Sequence, residues 1–208
     1  MIKNENRFNV IVADPPWRYD NKRTGGTHKS GSGQKYQTLS TVDIQSLYAH
    51  TELSNLIADN AVLFLWTTNS MLPYAMVIPE LWDFEYKTMI TWLKKSYGLG
   101  YWFRSKTEHL LLGVRNRGGG GLLGTNRIAA FRSNLPNVIK SDAVLKHSQK
   151  PMESYELIEK ATENIAYPRY LELFATRQYK DWTCLGYNLS GKDIETELKE
   201  LADKQKCI

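Results

Sequence analysis

The feature that most constrains the fold is an apolar run, Phe8–Ala13, that stops at the tetrapeptide Asp14-Pro15-Pro16-Trp17. The run predicts a strand buried in a sheet. The two prolines end it, because neither has a backbone N–H group. In open α/β sheets, ligands bind beyond the carboxyl ends of the strands. The turn therefore places a carboxylate, backbone carbonyl groups and an indole where a binding site is expected.

This combination of groups suits the exocyclic amine of a nucleobase. Asp14 accepts one N–H hydrogen bond, and the carbonyl group before or within the Pro15-Pro16 step accepts a second. Trp17 offers a face on which the base stacks. The alternative is purely structural, with Asp14 capping a turn and Trp17 belonging to the core.

Other strand-like runs alternate with helical patterns along the chain. The strands are predicted at residues 61–66, 88–93, 109–114, 170–175 and 182–186, and the helices at 41–47, 71–81, 152–162 and 192–206. This alternation predicts a doubly wound α/β fold with a mostly parallel sheet. A length of 208 residues is typical of one domain with a sizeable core. We therefore expect a single domain over 1–208, with a charged helix and tail over 192–208.

Three stretches fit neither pattern: residues 18–38, 96–106 and 115–125, which are rich in glycine, polar, basic or aromatic residues. Loops longer than about 12 residues in a compact domain are usually functional or disordered. All three follow strands, so they are expected beside the site. The first two mix cations with aromatic rings, as nucleic-acid surfaces do. The alternative is a solvated charged loop.

Composition narrows the class of protein further. The net charge of +5 favours an anionic partner such as nucleic acid. No apolar run has the length of a membrane span or the form of a signal peptide. Cys184 and Cys207 lack metal or redox spacing and are expected to be free thiols of a reducing compartment. The sequence thus predicts a cytoplasmic protein with no membrane partner and no metal.

Six motifs together resemble the MT-A70 family of S-adenosylmethionine-dependent adenine N6-methyltransferases, over about residues 8–189. They are Val12-Ala13-Asp14-Pro15-Pro16-Trp17, Lys35-Tyr36-Gln37-Thr38-Leu39-Ser40, Leu63-Phe64-Leu65-Trp66-Thr67, Glu108-His109-Leu110-Leu111-Leu112-Gly113-Val114, His147-Ser148-Gln149-Lys150-Pro151 and Glu172-Leu173-Phe174-Ala175-Thr176-Arg177. The resemblance implies a Rossmann-like methyltransferase fold with permuted motif order, the catalytic strand first and the cofactor strand late. That order accounts for the absence of a glycine-rich strand-to-helix turn near the N-terminus.

The resemblance also implies roles for individual residues. The catalytic group is Asp14, Pro15, Pro16 and Trp17. The residues implied to bind S-adenosylmethionine are Asp14, Lys150, Glu172, Phe174, Arg177 and Asn188. The residues implied to bind substrate are Tyr36, which closes the pocket, Trp66 and Trp92, which wall the base, and the cations Lys22, Arg23, Arg104 and Lys106.

Structural alternatives stand beside several of these roles. Glu172 binds the ribose hydroxyls of the cofactor or pairs with Arg169 or Arg177, since a buried carboxylate needs a partner. Lys150 binds the methionine carboxylate or a phosphate, or is a solvated surface lysine. Asn188 meets the adenosine or is an ordinary turn residue. The tryptophans wall the base or belong to the core.

The sequence therefore predicts methyl transfer from S-adenosylmethionine to the N6 amine of adenine in DNA. Only about seven residues precede the first strand, and no zinc finger or added RNA-binding domain is present, as expected for a stand-alone microbial or phage DNA enzyme. RNA methylation is the alternative within the class. A catalytically silent nucleic-acid-binding subunit is the alternative outside it, although such subunits lose the Asp-Pro-Pro-Trp motif. Homodimer formation is left open.

Overall fold

The computed structural model describes residues 4–19, 38–98, 102–117, 134–141 and 149–207. After a 3₁₀ turn at Asn4–Asn6, the strands are β1 (Phe8–Ala13), β2 (Ile57–Thr68), β3 (Glu85–Leu93), β4 (Thr107–Asn116), β5 (Val138–Lys140), β6 (Tyr170–Leu173) and β7 (Thr183–Leu185). The helices are α1 (Thr41–His50), α2 (Leu53–Leu56), α3 (Leu72–Ala75), α4 (Ile78–Leu81), α5 (Met152–Thr162), α6 (Tyr187–Ser190) and α7 (Ile194–Lys206).

The described strands form one seven-stranded sheet in the order β5-β3-β4-β2-β1-β6-β7. β1 lies between β2 and β6 and is parallel to both, and β7 is parallel to β6. β4 is antiparallel to β2 and β3, while β5 is parallel to β3. Six strands thus share one direction and β4 alone is reversed. The predicted α/β fold with a mostly parallel, Rossmann-like sheet is confirmed.

Both faces of β1 are buried, which explains why its sequence is a continuous apolar run. Val10 and Val12 face a core layer completed by α5, whereas Ile11 and Ala13 face a second layer completed by helices that include α1 and α7. Helices therefore cover both faces of the sheet, as the doubly wound prediction requires. The carboxyl ends of β1, β3 and β6 are brought to one edge.

The predicted helices form with bounds that local chemistry explains. The Ser40 hydroxyl accepts from the Asp43 amide at 3.1 Å while the Asp43 carboxylate accepts from the Ser40 amide at 3.0 Å, a capping box that starts α1. The helix predicted at residues 71–81 is two single turns, α3 and α4. Each carries its proline in the first turn, where proline is tolerated. The short strand β5 was not predicted from the sequence.

The reversal of β4 corrects one expectation about the loops. Residues 115–125 were expected beside the site because they follow a strand; of these, residues 118–125 lie outside the described part of the chain. Arg115 and Asn116 belong to β4 itself and pair with Ala61 and Asn60 near the start of β2. Because β4 is antiparallel, its end lies at the edge of the sheet opposite the carboxyl ends of β1 and β6.

No helix in the part of the chain that the structure describes has the length and apolar character needed to cross a bilayer.

Gly186 allows the segment after β7 to approach the segment after β6. The Ala175 amide donates to the Leu185 carbonyl at 2.8 Å. A Cβ atom at Gly186 would lie 2.2 Å from the Ala175 carbonyl oxygen and 2.7 Å from its amide nitrogen. Only a residue without a side chain fits there. Gly186 therefore sets the position of α6 and of Asn188 relative to Phe174.

We predict that Gly186→Ala lowers the free energy of unfolding by about 1–3 kcal/mol, the usual cost of overpacking a rigid site. Urea denaturation measures it. Gly98→Ala is the control, since among the described residues a Cβ atom there meets the Ser105 carbonyl oxygen alone, at 3.5 Å. Equal stability of both variants and the wild type would contradict the packing argument.

Candidate active site

Three distant segments place their charged groups together at the carboxyl edge of the sheet. Asp14 follows β1, Lys150 immediately precedes Pro151, the residue that caps α5, and Glu108 is the second residue of β4. The Lys150 ammonium donates to the Asp14 carboxylate at 2.7 Å and lies 3.3 Å from a carboxylate oxygen of Glu108. Their side chains are between 10% and 17% exposed. The site is thus a largely buried ion cluster.

Lys94, directly after β3, extends this cluster by pairing with the other oxygen of Glu108. We call Asp14, Lys150, Glu108 and Lys94 the charge chain. Negative and positive groups alternate along it, so its formal charges balance. A buried ion pair is tolerated when each charge is matched and hydrogen-bonded in this way.

Burial and the neighbouring opposite charges shift the pKa values of the charge chain in opposite directions. Burial alone would lower the pKa of the Lys150 ammonium, but the Asp14 and Glu108 carboxylates outweigh it and raise that pKa. Burial alone would raise the pKa of Glu108, but the ammonium groups of Lys150 and Lys94 lower it. For Asp14, burial outweighs the attraction of Lys150 and the pKa is raised. A more basic carboxylate is a better acceptor of hydrogen bonds.

Two tryptophan rings pack beneath the charge chain. The Lys150 ammonium lies 5.3 Å from the centre of the Trp66 ring and the Lys94 ammonium 5.1 Å from that of Trp92. The two rings meet edge to face, with centres 6.2 Å apart. Trp66 is 2% exposed and Trp92 7%. The structure thus places both rings in the core, as the structural alternative held, with the cations of the site resting on them.

The Asp14-Pro15-Pro16-Trp17 turn is held by its own backbone. The Trp17 amide donates to the Pro15 carbonyl at 2.8 Å, and the Leu39 amide donates to the Pro16 carbonyl at 3.1 Å. The Trp17 indole N–H donates to the Trp66 carbonyl at 3.3 Å and the ring is 5% exposed. Trp17 therefore anchors the turn in the core, and its ring faces are not free for a base. Pro15 retains one carbonyl lone pair that faces no described donor.

Glu172 supplies a second buried carboxylate near this edge. It is 4% exposed, accepts from the Tyr155 hydroxyl at 2.7 Å and is contacted by the Cys184 thiol at 3.6 Å. Among the described residues, neither Arg169 nor Arg177 forms an ion pair with it. Burial raises the pKa of Glu172 to about 7, against the Tyr155 hydrogen bond, and the negative charge of Asp14 adds to the rise.

The other predicted cofactor residues follow β6 and β7. Arg177 donates to the Lys150 carbonyl at 3.0 Å and lies over the Tyr155 ring, so it holds the backbone of Lys150 rather than meeting Glu172. Phe174 follows β6 with a φ of 63°, a conformation rare for a bulky residue. Asn188 is exposed on α6.

The predicted substrate residues divide between described and undescribed parts of the chain. Lys22, Arg23 and Tyr36 lie outside the described residues. Arg104 and Lys106 lie in the loop between β3 and β4, with their cationic groups 5.9 Å and 5.3 Å from the centre of the Tyr97 ring.

Sequence reasoning missed Lys94, Glu108, Tyr19 and Tyr155. Glu108 received no role because the site was expected at strand ends, whereas Glu108 lies at the beginning of a reversed strand. Lys94 does follow a strand, but its partner Glu108 is brought to it only by the pairing of β3 with β4. The Tyr19 hydroxyl forms a hydrogen bond with the Thr68 hydroxyl at 2.9 Å. Burial is the main cause that raises the pKa of Tyr19, and the carboxylates of Glu108 and Asp14 raise it further. Glu108 opens one of the six motifs, and its lone carboxylate at the start of an apolar strand was a second signal.

Comparison with known proteins identifies the chain. The family model described as MT-A70 matches residues 8–188, and the chain belongs to the MT-A70 family. The family predicted from the motifs is thereby confirmed, together with the methyltransferase class and S-adenosylmethionine as the cofactor.

The chain is similar to named relatives in several organisms. It is 28% identical to the Type II methyltransferase M.MunI of a Mycoplasma species, over 96% of this chain and 85% of that protein. It is 26% identical to the human N(6)-adenosine-methyltransferase catalytic subunit METTL3, over 89% of this chain but 29% of that protein. A putative N(6)-adenosine-methyltransferase MT-A70-like protein of Medicago truncatula is 28% identical, over 92% of this chain and 28% of its own length.

Glu172 makes the stability of the protein depend on pH. In the folded protein its pKa is about 7, against an ordinary value of 4.5. Between those values the folded protein therefore holds more protons on this group than the unfolded chain does, and the free energy of unfolding falls as pH rises. We predict that wild type loses about 2–3 kcal/mol relative to Glu172→Gln between pH 4.5 and 8.

Urea denaturation at several pH values measures this difference. The glutamine keeps an acceptor for the Tyr155 hydroxyl, and Glu156→Gln, exposed on α5, is the control. Parallel pH profiles for wild type and Glu172→Gln would contradict a buried, weakly acidic Glu172.

Proposed function

We propose that this protein transfers the methyl group of S-adenosylmethionine to the N6 amine of adenine in DNA. The observation that carries the proposal is the Asp14 carboxylate, which is 17% exposed at the carboxyl edge of the sheet and is held by Lys150 at 2.7 Å. A partly desolvated, oriented carboxylate beside a carbonyl with an unused lone pair is a receptor for an NH₂ group.

The reaction needs such a receptor because the amine of adenine is a poor nucleophile. Its lone pair is delocalised into the ring. Hydrogen bonds from its two N–H groups to Asp14 and to the Pro15 carbonyl localise the lone pair on nitrogen and fix the direction of attack. When bound, S-adenosylmethionine supplies an electrophilic methyl group on a sulfonium, so correct positioning supplies much of the rate. Asp14, whose pKa is raised by burial, is a suitable first acceptor for the proton that the methylated nitrogen then releases.

The cofactor fits the donors and acceptors beside Asp14. The Lys150 ammonium has three N–H groups, of which Asp14 and Glu108 occupy two. The third suits the methionine carboxylate. Among the described residues, Glu172 receives Tyr155 and Cys184 as its donors, which leaves acceptor capacity for ribose hydroxyls. Phe174 and Asn188, which lie on the two segments that Gly186 brings together, would meet the adenosine. In this proposal Arg177 acts by holding Lys150.

The choice of DNA rests on the share of each relative's length that the chain covers. The chain spans 85% of the Type II methyltransferase M.MunI but only 29% of human METTL3, whose name gives adenosine as its acceptor. RNA is therefore the second candidate. The intact set of Asp14, Lys150 and Glu172 supports an active enzyme rather than a silent subunit. The two free cysteines support a reducing, cytoplasmic location.

The test is incubation of the purified protein with isotopically labelled S-adenosylmethionine and either unmethylated DNA or RNA, followed by mass spectrometry of the nucleosides. We predict labelled N6-methyldeoxyadenosine for the wild type. Asp14→Asn should lower the rate by about two to four orders of magnitude, because it removes a positioning and electrostatic group.

Asp203→Asn is the matched control, since Asp203 is exposed on α7. More than about a tenth of the wild-type rate in Asp14→Asn would remove Asp14 from the reaction. Label in RNA alone would select the second candidate, and label in neither polymer would refute the proposed activity.

The basic side chains of the β3–β4 loop are proposed to contact phosphates. Reversing both charges, Arg104→Glu with Lys106→Glu, should weaken DNA binding and reduce the slope of log K against log salt by about two, one for each lost phosphate contact. Binding titrations at several salt concentrations measure this. The double variant Lys199→Glu with Lys204→Glu, exposed on α7, changes the net charge equally and should leave the slope nearer that of wild type. Equal slopes for the two double variants would move the phosphate path elsewhere.

A further inference from the structure

The loop between β3 and β4 presents two adjacent aromatic rings to solvent. Trp102 is 99% exposed and Phe103 is 85% exposed, and Trp102 has a φ of 63°. We call these two residues the aromatic tip. Each ring carries about 150–250 Å² of surface that is normally buried, and a bulky residue rarely adopts this backbone conformation. Two adjacent exposed rings form an apolar patch of the kind that marks an interaction site.

The aromatic tip stands on a braced base. The Lys94 amide donates to the Lys106 carbonyl at 2.9 Å, and the Gly98 amide donates to the Ser105 carbonyl at 2.7 Å. The Asn69 side chain, just after β2, donates to the Ser105 hydroxyl at 2.7 Å and to the Thr107 carbonyl at 3.2 Å. The base of the loop is therefore tied to two strands of the sheet, and the rings project from a firm support.

The two ends of this loop also supply two members of the charge chain, Lys94 and Glu108. Lys94 begins the loop, and Glu108, which contacts Lys150 and through it Asp14, lies five residues after Phe103. Five residues span at most about 18 Å, which is comparable with the dimensions of a DNA duplex, whose major groove is about 12 Å wide. One duplex could thus lie against the aromatic tip while one of its nucleotides enters the site.

Charge identifies the partner as nucleic acid. Residues 94–106 contain four cations and no acidic residue. Arg104 and Lys106 lie against Tyr97, beside the exposed rings. Phosphates complement these cations, and bases stack on aromatic rings. A protein partner of mixed charge would lack this match.

The burial of Asp14 indicates what the aromatic tip does to the DNA. Its carboxylate is largely buried, so an adenine stacked and paired within a duplex cannot reach it and has to leave the helix. The vacated position loses its stacking partners, and apolar side chains inserted between base steps offset that loss in other proteins.

Resting on the proposed function, we propose that Trp102 and Phe103 form a wedge that occupies the gap left in duplex DNA when the target adenine is flipped into the site. Loss of the wedge is then a defect in extracting the base from a duplex. It is not a defect in methyl transfer, and an adenine that is already unpaired does not need it.

The experiment compares one DNA in two forms. PCR-amplified, hence unmethylated, DNA is supplied as native duplex or after heat denaturation, and the rate of N6-methyldeoxyadenosine formation is measured for each. The Trp102→Ala, Phe103→Ala double variant should lose about tenfold or more on the duplex, since base–aromatic stacking has that magnitude. Its rate on denatured DNA should stay within about threefold of wild type.

Two controls keep the result specific. Tyr167→Ala removes another ring that is 91% exposed at positive φ but precedes β6, at the opposite edge of the sheet, and should change neither rate. Thermal unfolding and the dissociation constant for S-adenosylmethionine should be unchanged in the double variant, because the removed rings contribute to neither. Permanganate oxidation of thymines left unpaired by flipping should fall in the double variant.

The other outcomes overturn the wedge. Equal losses on both DNA forms mean that the rings hold single strands. No loss on either form means that the rings do not take part in holding DNA. A wild-type protein active only on denatured DNA has no need of a wedge. If the wild type methylates neither form, the proposed function fails as well, and that result is distinct from a fully active wild type whose rings are dispensable.

Discussion

The ammonium group of Lys150 is the interaction on which the site depends. It joins a carboxylate that follows β1 to a carboxylate that begins β4, and it comes from the segment that precedes α5. Removing one member of a buried ion pair typically costs about 3–5 kcal/mol, because the remaining charge is left uncompensated. The charge chain therefore forms as a unit. It couples the orientation of Asp14 to the correct packing of three segments more than 40 residues apart.

The reversed strand β4 makes this coupling possible. In an all-parallel sheet the carboxyl edge would receive only residues that follow strands. Because β4 is antiparallel to β2 and β3, it brings its first residues to that edge, and Glu108 pairs in register with Thr68 and Trp92. The same reversal joins β3 to β4 by a loop at the edge where the site lies. One topological feature thus supplies both the second carboxylate of the charge chain and the loop with its aromatic tip.

Prediction from the sequence succeeded for residue types that occur in few kinds of structural environment. Buried strands read as apolar runs, prolines limited α3 and α4 to single turns, and a carboxylate directly after a buried strand marked the edge of the sheet. Prediction was less decisive for the aromatic residues. Trp17, Trp66 and Trp92 are compatible with a core or with the wall of a pocket, and only their packing places them in the core. The partners of Glu172 were equally hidden, because Tyr155 and Cys184 are both more than ten residues away from it in the sequence.

The sequence by itself determined the α/β class, the family and the position of the Asp14 turn, because hydrophobic periodicity, proline and short motifs are local properties. Tertiary structure decided which charges meet. It placed Lys150 between Asp14 and Glu108, turned Arg177 towards the Lys150 carbonyl, and left Trp102 and Phe103 in solvent. The physical reason is that an ion pair in a buried site depends on distance and desolvation. Both quantities are set by the order and direction of strands, which no short stretch of sequence records.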